Sequence, residues 1–203
     1  MKRILFTSVV ITMIAISTYS QSTGTFTDHR DGKIYKTVKI GKQTWMAENL
    51  NFKTSSGSWV YKNDPSNEII YGRLYDWETA QKVCPVGWHL PTIEEWHELI
   101  IFLGGKSIAG SKLKEEGTAH WKSPNKGATN ESGFSGLPGG YRNQNKGFHS
   151  IGSYGQWWSS TIQEGIGIQY MSLSNKNTRF SQHRGLVGYG FDKVGLSVRC
   201  VRD

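Results

Sequence analysis

The stretch YGRLYDWETAQKVCPVGWHLPTIEEWHEL, Tyr71 to Leu99, contains the clearest secondary-structure signals of this chain. Thr92 is a good helix N-cap, and Glu95 stands three residues later, so the two residues are typical of a capping box. The apolar stripe that follows at helical spacing is Ile93, Trp96, Leu99, Ile100 and Leu103. Gly104-Gly105 favours the end of this segment, and the sequence therefore predicts a helix that begins after Thr92.

The first half of the same stretch predicts another helix, from Tyr71 to Val83. Asp76 near its beginning and Lys82 near its end suit the helix dipole. The residues at helical spacing are Leu74, Trp77, Ala80 and Gln81. Cys84-Pro85 ends the helix because the residue before a proline avoids helical geometry.

The N-terminus has the pattern of a secretory signal. The basic pair Lys2-Arg3 precedes an apolar run from Ile4 to Ile16, and cleavage before Gln21 would follow small residues. An uncleaved membrane anchor is the alternative, although the run is short for a membrane span. The resulting division is a signal peptide (1–20), a flexible N-terminus (21–30) and one domain (31–203). We expect an exported protein that is secreted, on the cell surface or periplasmic.

Cys84 and Cys200 are the two cysteines of the chain. Two thiols in an oxidising compartment usually pair, so the sequence predicts a disulfide, with two buried free thiols as the alternative. Closing a loop of this length removes about 4 to 5 kcal/mol of freedom from the unfolded chain on the chain-entropy account. No base near either thiol supports cysteine catalysis.

Composition indicates a loop-rich fold. The chain has 24 glycines, eight tryptophans and nine tyrosines, a combination typical of irregular loops anchored by aromatic side chains. The formal net charge is +8 and falls to +6 without Lys2 and Arg3. The cations are scattered, which argues against nucleic-acid binding and leaves attraction to an acidic polymer or an anionic cell surface open.

Short strands are predicted outside the helices. Ile34 to Ile40, the turn Gly41-Lys42 and Gln43 to Glu48 predict a β-hairpin. The polar segment from Asn51 to Asn67 predicts a loop, part of which packs through its aromatic residues. Further strands are expected at Gln156 to Thr161, Ile166 to Leu173 and Leu196 to Val201.

The sequence contains no recognised motif of a metal site or of a catalytic centre. The two-histidine spacing of helical zinc sites does not occur around His89 and His97. The six histidines show no recognised catalytic pattern. We therefore predict no cofactor and no metal, and an enzyme of unknown reaction is the least favoured alternative. Pairing of His149 or His183 with a carboxylate in a cleft would revive it.

Five blocks together resemble the Fibrobacter succinogenes major paralogous domain. They are Asp31 to Phe52, Tyr71 to Leu99, Leu137 to Arg142 (LPGGYR), Trp157 to Thr161 (WWSST) and Leu196 to Asp203 (LSVRCVRD). That family is similar to the formylglycine-generating-enzyme and C-type lectin-like group. The resemblance implies an α+β, C-type lectin-like, loop-rich fold with two main helices and short antiparallel strands.

The resemblance also bears on chemistry. It implies that Cys84 and Cys200 form the whole-domain disulfide that joins a helix to the last strand in C-type lectin-like domains. The chain lacks the nearby reactive cysteine pair of formylglycine-generating enzymes, so that oxidase activity is not expected. It also lacks the calcium-and-sugar signature of classical lectins.

We therefore expect an exported, non-catalytic binding module for a carbohydrate or another surface polymer. Aromatic faces can stack on sugars while amides and guanidinium groups bind hydroxyls. The predicted ligand-binding residues are Tyr141, Arg142, Asn143, Asn145, Trp157 and Trp158. Core packing is the favoured alternative for Trp157 and Trp158. A structural or adhesion protein that binds another protein is the alternative function.

Overall fold

The computed structural model describes residues 22–165, 167–186 and 189–203. The predicted signal peptide, residues 1–20, lies outside these ranges. Within them, no helix has both the length and the apolar character needed to cross a bilayer.

The described chain alternates short strands with short helices. The strands are β1 (Thr23–Thr27), β2 (Ile34–Ile40), β3 (Gln43–Met46), β4 (Ser58–Trp59), β5 (Leu74–Tyr75), β6 (Trp88–His89), β7 (Tyr141–Arg142), β8 (Phe148–His149), β9 (Tyr154–Gln163), β10 (Gly167–Ser174), β11 (Phe180–Gly185), β12 (Leu196–Ser197) and β13 (Val201–Arg202). The α-helices are α1 (Pro65–Tyr71), α2 (Trp77–Val83), α3 (Ile93–Phe102) and α4 (Ala109–Leu113).

These strands form two larger sheets and one hairpin. The first sheet has the order β1-β2-β3-β13-β6, and the second has the order β11-β10-β9-β12-β5-β4. Strands β7 and β8 pair with each other in a two-stranded sheet. Nearly all pairings are antiparallel, and β12 runs parallel to β9. The fold is therefore α+β with several antiparallel sheets and few helices, as the sequence predicted at that level.

The first sheet begins with the predicted hairpin. Strands β2 and β3 pair across Gly41, whose φ of 62° favours glycine. Strand β1 pairs along its whole length with β2, from Thr23 opposite Val38 to Thr27 opposite Ile34. Five residues of the segment 21–30, for which the sequence predicted flexibility, thus form the edge strand of the first sheet.

Helix α3 confirms the prediction made from its capping box. Thr92 Oγ1 accepts a hydrogen bond from Glu95 N at 3.1 Å, and Glu95 Oε2 accepts one from Thr92 N at 2.8 Å. The helix ends before Gly104 and Gly105, whose φ angles are 99° and 97°. Each capping bond of this kind stabilises a helix by about 1 kcal/mol.

The predicted helix from Tyr71 to Val83 is wrong in its first half. Gly72 has φ 69°, which interrupts a helix, and Leu74 and Tyr75 form β5 between β4 and β12. Asp76 then caps α2 by accepting a hydrogen bond from Thr79 N at 2.9 Å. Helix α1 begins inside the segment Asn51 to Asn67, for which the sequence predicted a loop, and α4 lies where no helix was predicted.

Strand β9 separates two apolar cores. Successive strand residues point to opposite faces, so Trp157 faces the core of α3 and Trp158 faces the core of Cys200. Both indole rings are fully buried. Trp157 Nε1 donates to Asn49 Oδ1 at 2.8 Å, and Trp158 Nε1 donates to Tyr75 O at 2.6 Å. Trp157 and Trp158 therefore anchor β9 to the two cores, one on each face of the strand.

The C-terminal segment joins the two sheets. The sequence predicted one strand from Leu196 to Val201, whereas the segment forms β12 in the second sheet and β13 in the first. Val198 O and Cys200 O, between and beside these strands, accept hydrogen bonds from Leu50 N and Met46 N. A single segment thus crosses from one sheet to the other.

The predicted disulfide is confirmed. Cys84 at the C-terminal end of α2 is bonded to Cys200, with the Cα atoms 6.0 Å apart and 116 positions apart in sequence. Cys200 is fully buried within the second core. The bond therefore ties α2 to the segment that joins the sheets.

Arg199 is buried beside this bond without a carboxylate partner in the described ranges. Its guanidinium donates to Phe134 O, to Asn49 Oδ1 at 3.1 Å and to Ser135 O at 3.3 Å. It also lies 4.0 Å from the centre of the Phe134 ring. Burial lowers the pKa of Arg199 to about 9, while the Glu48 charge opposes this shift. Neutral acceptors thus solvate the two terminal nitrogens of a buried cation, while its Nε is buried without a partner.

Lys114 repeats this arrangement elsewhere. Its fully buried ammonium donates to the carbonyl oxygens of Lys126, Ser174 and Asn177 at 2.9, 3.1 and 2.9 Å. Burial lowers the pKa of Lys114 to about 8. One side chain therefore joins the loop at Lys126 to the connection between β10 and β11.

His89 links the C-terminus to the cap of α3. Its Nδ1 lies 2.6 Å from Asp203 Oδ1, and its Nε2 lies 2.7 Å from Glu95 Oε1. Burial lowers the pKa of His89, but the hydrogen bonds to Asp203 and Glu95 outweigh burial and raise it above 6.5. The imidazolium form can donate to both carboxylates at once.

Removal of the disulfide should lower stability. We expect the double variant Cys84→Ala/Cys200→Ala to lose about 4 kcal/mol in free energy of unfolding, because its unfolded chain is no longer cross-linked. Urea unfolding followed by tryptophan fluorescence measures this loss. An unchanged midpoint would show that the bond does not stabilise the domain.

The contribution of His89 should depend on pH. A folded-state pKa above the unfolded value gives stability that is present below about pH 6.5 and is lost as pH rises through the folded pKa. We therefore expect His89→Gln to lower the free energy of unfolding at pH 5.5, by less than about 1 kcal/mol because the ring is partly exposed. The difference should shrink at pH 8.5, and Asp203→Asn should weaken the pH dependence. A deficit of equal size at both pH values would contradict the ion-pair account.

Candidate functional site

The β7–β8 hairpin carries four of the residues predicted to bind a ligand. Gly140 opens it with φ 66°, and a Cβ there would lie 2.3 Å from His149 O, so only glycine permits this close approach. Tyr141 lies opposite His149, with ring centres 5.4 Å apart. Tyr141 is half-buried and His149 is exposed. An aromatic pair thus stands at the solvent boundary.

Asn143 holds the turn of this hairpin. Its Oδ1 accepts a hydrogen bond from Gly147 N at 2.8 Å, and its Nδ2 lies 2.9 Å from His149 Nε2. The amide therefore supports the turn of the hairpin, and its contact with a ligand stays a prediction. Asn145 lies exposed at the tip of the turn.

Arg142 lies against Trp59 of β4. Its guanidinium carbon is 4.0 Å from the centre of the indole ring, and the residue is 8% exposed. Burial lowers the pKa of Arg142, and the nearby charge of Asp76 opposes this effect. Within the described ranges the guanidinium has no hydrogen-bond acceptor and no salt-bridge partner. Its donors are therefore free for a ligand that reaches the surface.

Close packing keeps this contact in place. Arg142 and Gly195 exchange backbone hydrogen bonds of 2.9 and 2.8 Å. A Cβ on Gly195 would lie 3.1 Å from Trp59 Cε3 and 3.2 Å from Arg142 Cβ. A larger residue at this position would push the hairpin away from Trp59.

Trp59 also lines a small pocket, which we call the Trp59 pocket. Its volume is about 230 Å³, and it is lined by Lys53, Ser58, Trp59, Val60, Asn63, Pro65, Glu68 and Arg73. Arg73 is 7% exposed, and its Nη1 donates to Glu68 Oε1 at 2.9 Å. Its Nε is buried without a hydrogen-bond partner. The hairpin and the pocket thus meet at one indole ring.

Trp157 and Trp158 do not belong to this surface. Both rings are fully buried, and both indole N–H groups have internal acceptors. A surface ligand cannot reach them without opening the core. The ligand-binding prediction for these two residues is therefore corrected, and the alternative of core packing describes where they lie.

Sequence reasoning missed three residues of the surface: Trp59, Lys53 and Arg73. A lone tryptophan within the polar segment Asn51 to Asn67 was the available signal, because such a residue must pack against something. It did not reveal the partner, since Arg142 is more than 80 residues away along the chain.

A separate open cleft of about 1010 Å³ lies between β2, α1 and the loops before the hairpin. Its lining includes Glu48, Glu115 and His120. His120 Nδ1 lies 2.9 Å from each carboxylate oxygen of Glu115. The enzyme alternative would therefore rest on this pair, whereas His149 contacts Asn143 and His183 contacts Ser172 Oγ at 2.8 Å.

The described residues do not group into a metal site: no cluster of three or more histidine, cysteine, aspartate or glutamate side chains that could hold an ion occurs among them. His89 contacts the carboxylates of Glu95 and Asp203, and His120 contacts that of Glu115.

Comparison with known proteins gives one informative result. Residues 38–202 match the family model of the Fibrobacter succinogenes major domain. No curated protein and no solved structure gives a significant match. The matched segment covers most of the chain, in agreement with the resemblance of the five sequence blocks. The chain therefore belongs to the Fibrobacter succinogenes major domain family.

Proposed function

We propose that the protein is an exported, non-catalytic binding module that takes a carbohydrate or another surface polymer on the surface made by Trp59, Tyr141 and Arg142. The observation that carries this proposal is the Arg142 guanidinium, which is nearly buried against an indole ring and has no acceptor in the described chain. None of its nitrogens is a buried donor without a partner in the described chain, so they meet water in the free protein. A ligand oxygen can therefore replace that water at a guanidinium already held in place by the indole ring.

The neighbouring groups suit a sugar. Tyr141 offers a half-buried ring, and it lies near the hydroxyl groups of Tyr61 and Tyr170, whose pKa values it helps to raise in addition to the larger effect of burial. Aromatic rings stack on the C–H faces of sugars, and guanidinium and phenol groups bind hydroxyls. Asn145 at the exposed turn can add a further amide contact.

The finer fold and the location belong to the same proposal. A disulfide from a helix end to the C-terminal segment, over 116 positions, supports a C-type lectin-like architecture. The same bond supports export, because disulfides persist in oxidising compartments. Export also rests on the signal pattern of residues 1–20. Fold likeness alone assigns no ligand, so the ligand class rests on the surface residues.

A protein partner is the second candidate, and a different surface favours it. Ile101 is 75% exposed and lines a groove of about 580 Å³ between α3 and β11. Exposed apolar side chains beside a groove are typical of protein contacts. This adhesion role would use α3 rather than the hairpin.

A glycan array, followed by pulldown on bacterial cell envelopes, tests the first candidate. We expect the oxidised protein to be retained, and Tyr141→Ala and Arg142→Gln to weaken retention about tenfold or more, which corresponds to about 1.4 kcal/mol. Arg184→Gln is the matched control for Arg142→Gln, because Arg184 is exposed on β11 and lines neither the Trp59 pocket nor the groove beside α3. Circular dichroism checks that each variant folds.

Three outcomes distinguish the candidates. Retention that depends on Tyr141 and Arg142 supports the sugar or polymer site. Retention on envelopes that is lost on protease treatment and depends on Ile101 supports the protein partner. No retention on any glycan, polymer or envelope would overturn the binding-module proposal.

A further inference from the structure

We propose that the Trp59 pocket is an anion subsite, so that the ligand is an acidic polysaccharide with a carboxylate or sulfate group. This inference rests on the proposed function, because the pocket shares Trp59 with the hairpin surface. It goes further by naming the chemical class of the ligand and the residues that select it.

The donors of the pocket exceed its internal acceptors. Arg73 is nearly buried, and its salt bridge to Glu68 uses Nη1 while Nε stays buried without a partner. Nε is closed to solvent, so a ligand in the pocket cannot reach it. The other terminal nitrogen, Nη2, makes no hydrogen bond within the described ranges, and an anionic oxygen in the pocket would accept from it.

The charged residues that line the pocket also favour an anion. Two cations, Lys53 and Arg73, line the pocket with one carboxylate, Glu68. Lys53 is exposed and forms no ion pair within the described ranges. The lining of this open pocket therefore carries one more positive than negative charge, which favours an anion over a neutral group.

The shape fits a single acidic group. A volume of about 230 Å³ is below the usual range for whole ligands and suits one substituent of a larger molecule. Trp59 forms one wall, and Ser58 and Asn63 add polar side chains to the lining. The sugar ring attached to this group would then lie toward Trp59 and Arg142.

The Glu68 carboxylate gives the site a distinctive signature. Glu68 competes with a bound anion for Arg73 and repels it, so its neutralisation should strengthen binding. A general attraction between the basic protein and a polyanion would respond far less to the loss of a single, partly exposed carboxylate. Opposite effects from substitutions at Lys53 and Glu68 therefore separate a defined subsite from overall charge.

The test uses the exported, oxidised protein and paired polymers. Polygalacturonate is compared with its methyl ester, and dextran sulfate with dextran, by affinity electrophoresis and calorimetry at 0.15 M salt. We expect the wild type to bind an acidic polymer at least tenfold more tightly than its neutral counterpart. Preference for polygalacturonate assigns a carboxylate, and preference for dextran sulfate assigns a sulfate.

Substitutions then locate the site. Lys53→Gln should weaken binding of the preferred acidic polymer several-fold, and Glu68→Gln should strengthen it several-fold. Lys176→Gln is the matched control because Lys176 is exposed and outside the pocket. Arg73→Gln should abolish the preference for the acidic polymer. Lys53→Gln and Glu68→Gln keep the test valid if that buried substitution prevents folding.

The outcomes separate this inference from the proposed function. Equal binding of acidic and neutral polymers would overturn the anion subsite and leave the sugar site in place. Equal losses in Lys53→Gln and Lys176→Gln would also overturn it, because they indicate diffuse charge attraction. Failure to bind any of the four polymers, or any glycan on the array, would overturn both.

Discussion

The structure depends on the guanidinium of Arg199, which is buried without a carboxylate partner in the part of the chain that the structure describes. Arg199 lies on the segment that crosses between the two sheets, and it bonds the carbonyls of Phe134 and Ser135 and the amide of Asn49. Asn49 in turn accepts from Trp157 and donates to Tyr71 O. Because a buried cation cannot be left unsolvated, these segments must stay together. The disulfide at the next residue, Cys200, reinforces the same point.

This constraint positions the candidate site. Phe134 and Ser135 lie just before the Leu-Pro-Gly-Gly turn in the sequence, and the β7–β8 hairpin follows this turn. Strand β12, on the same segment as Arg199, pairs with β5, and β5 pairs with β4, which carries Trp59. The two sides of the Trp59 and Arg142 contact are therefore fixed by one network. A preformed surface loses little conformational freedom when it binds, which favours recognition of weakly binding ligands such as sugars.

Local signals in the sequence predicted local structure well. The capping box of Thr92 and Glu95 and the turn at Gly41 act over a few residues, and both helix and hairpin form as expected. The start of α2 was mispredicted because Leu74 and Tyr75 gain more from pairing with distant strands than from helical spacing. The same limit applies to the site: Tyr141 and Arg142 were predicted from composition, whereas Trp59 and Arg73 reach them only through tertiary contacts. The burial of Arg199 and Lys114 has no sequence signal, since the acceptors are backbone carbonyls.

The central claim is that the ligand meets the protein at Trp59 and not in the core or the larger cleft. Indole N–H resonances in a ¹H–¹⁵N spectrum test it directly, with each of the eight tryptophans assigned by substitution to phenylalanine. On titration with galacturonate oligomers, the Trp59 resonance should shift progressively while those of Trp157 and Trp158 stay in place. Shifts confined to the amides around Glu115 and His120, with Trp59 unchanged, would contradict the account.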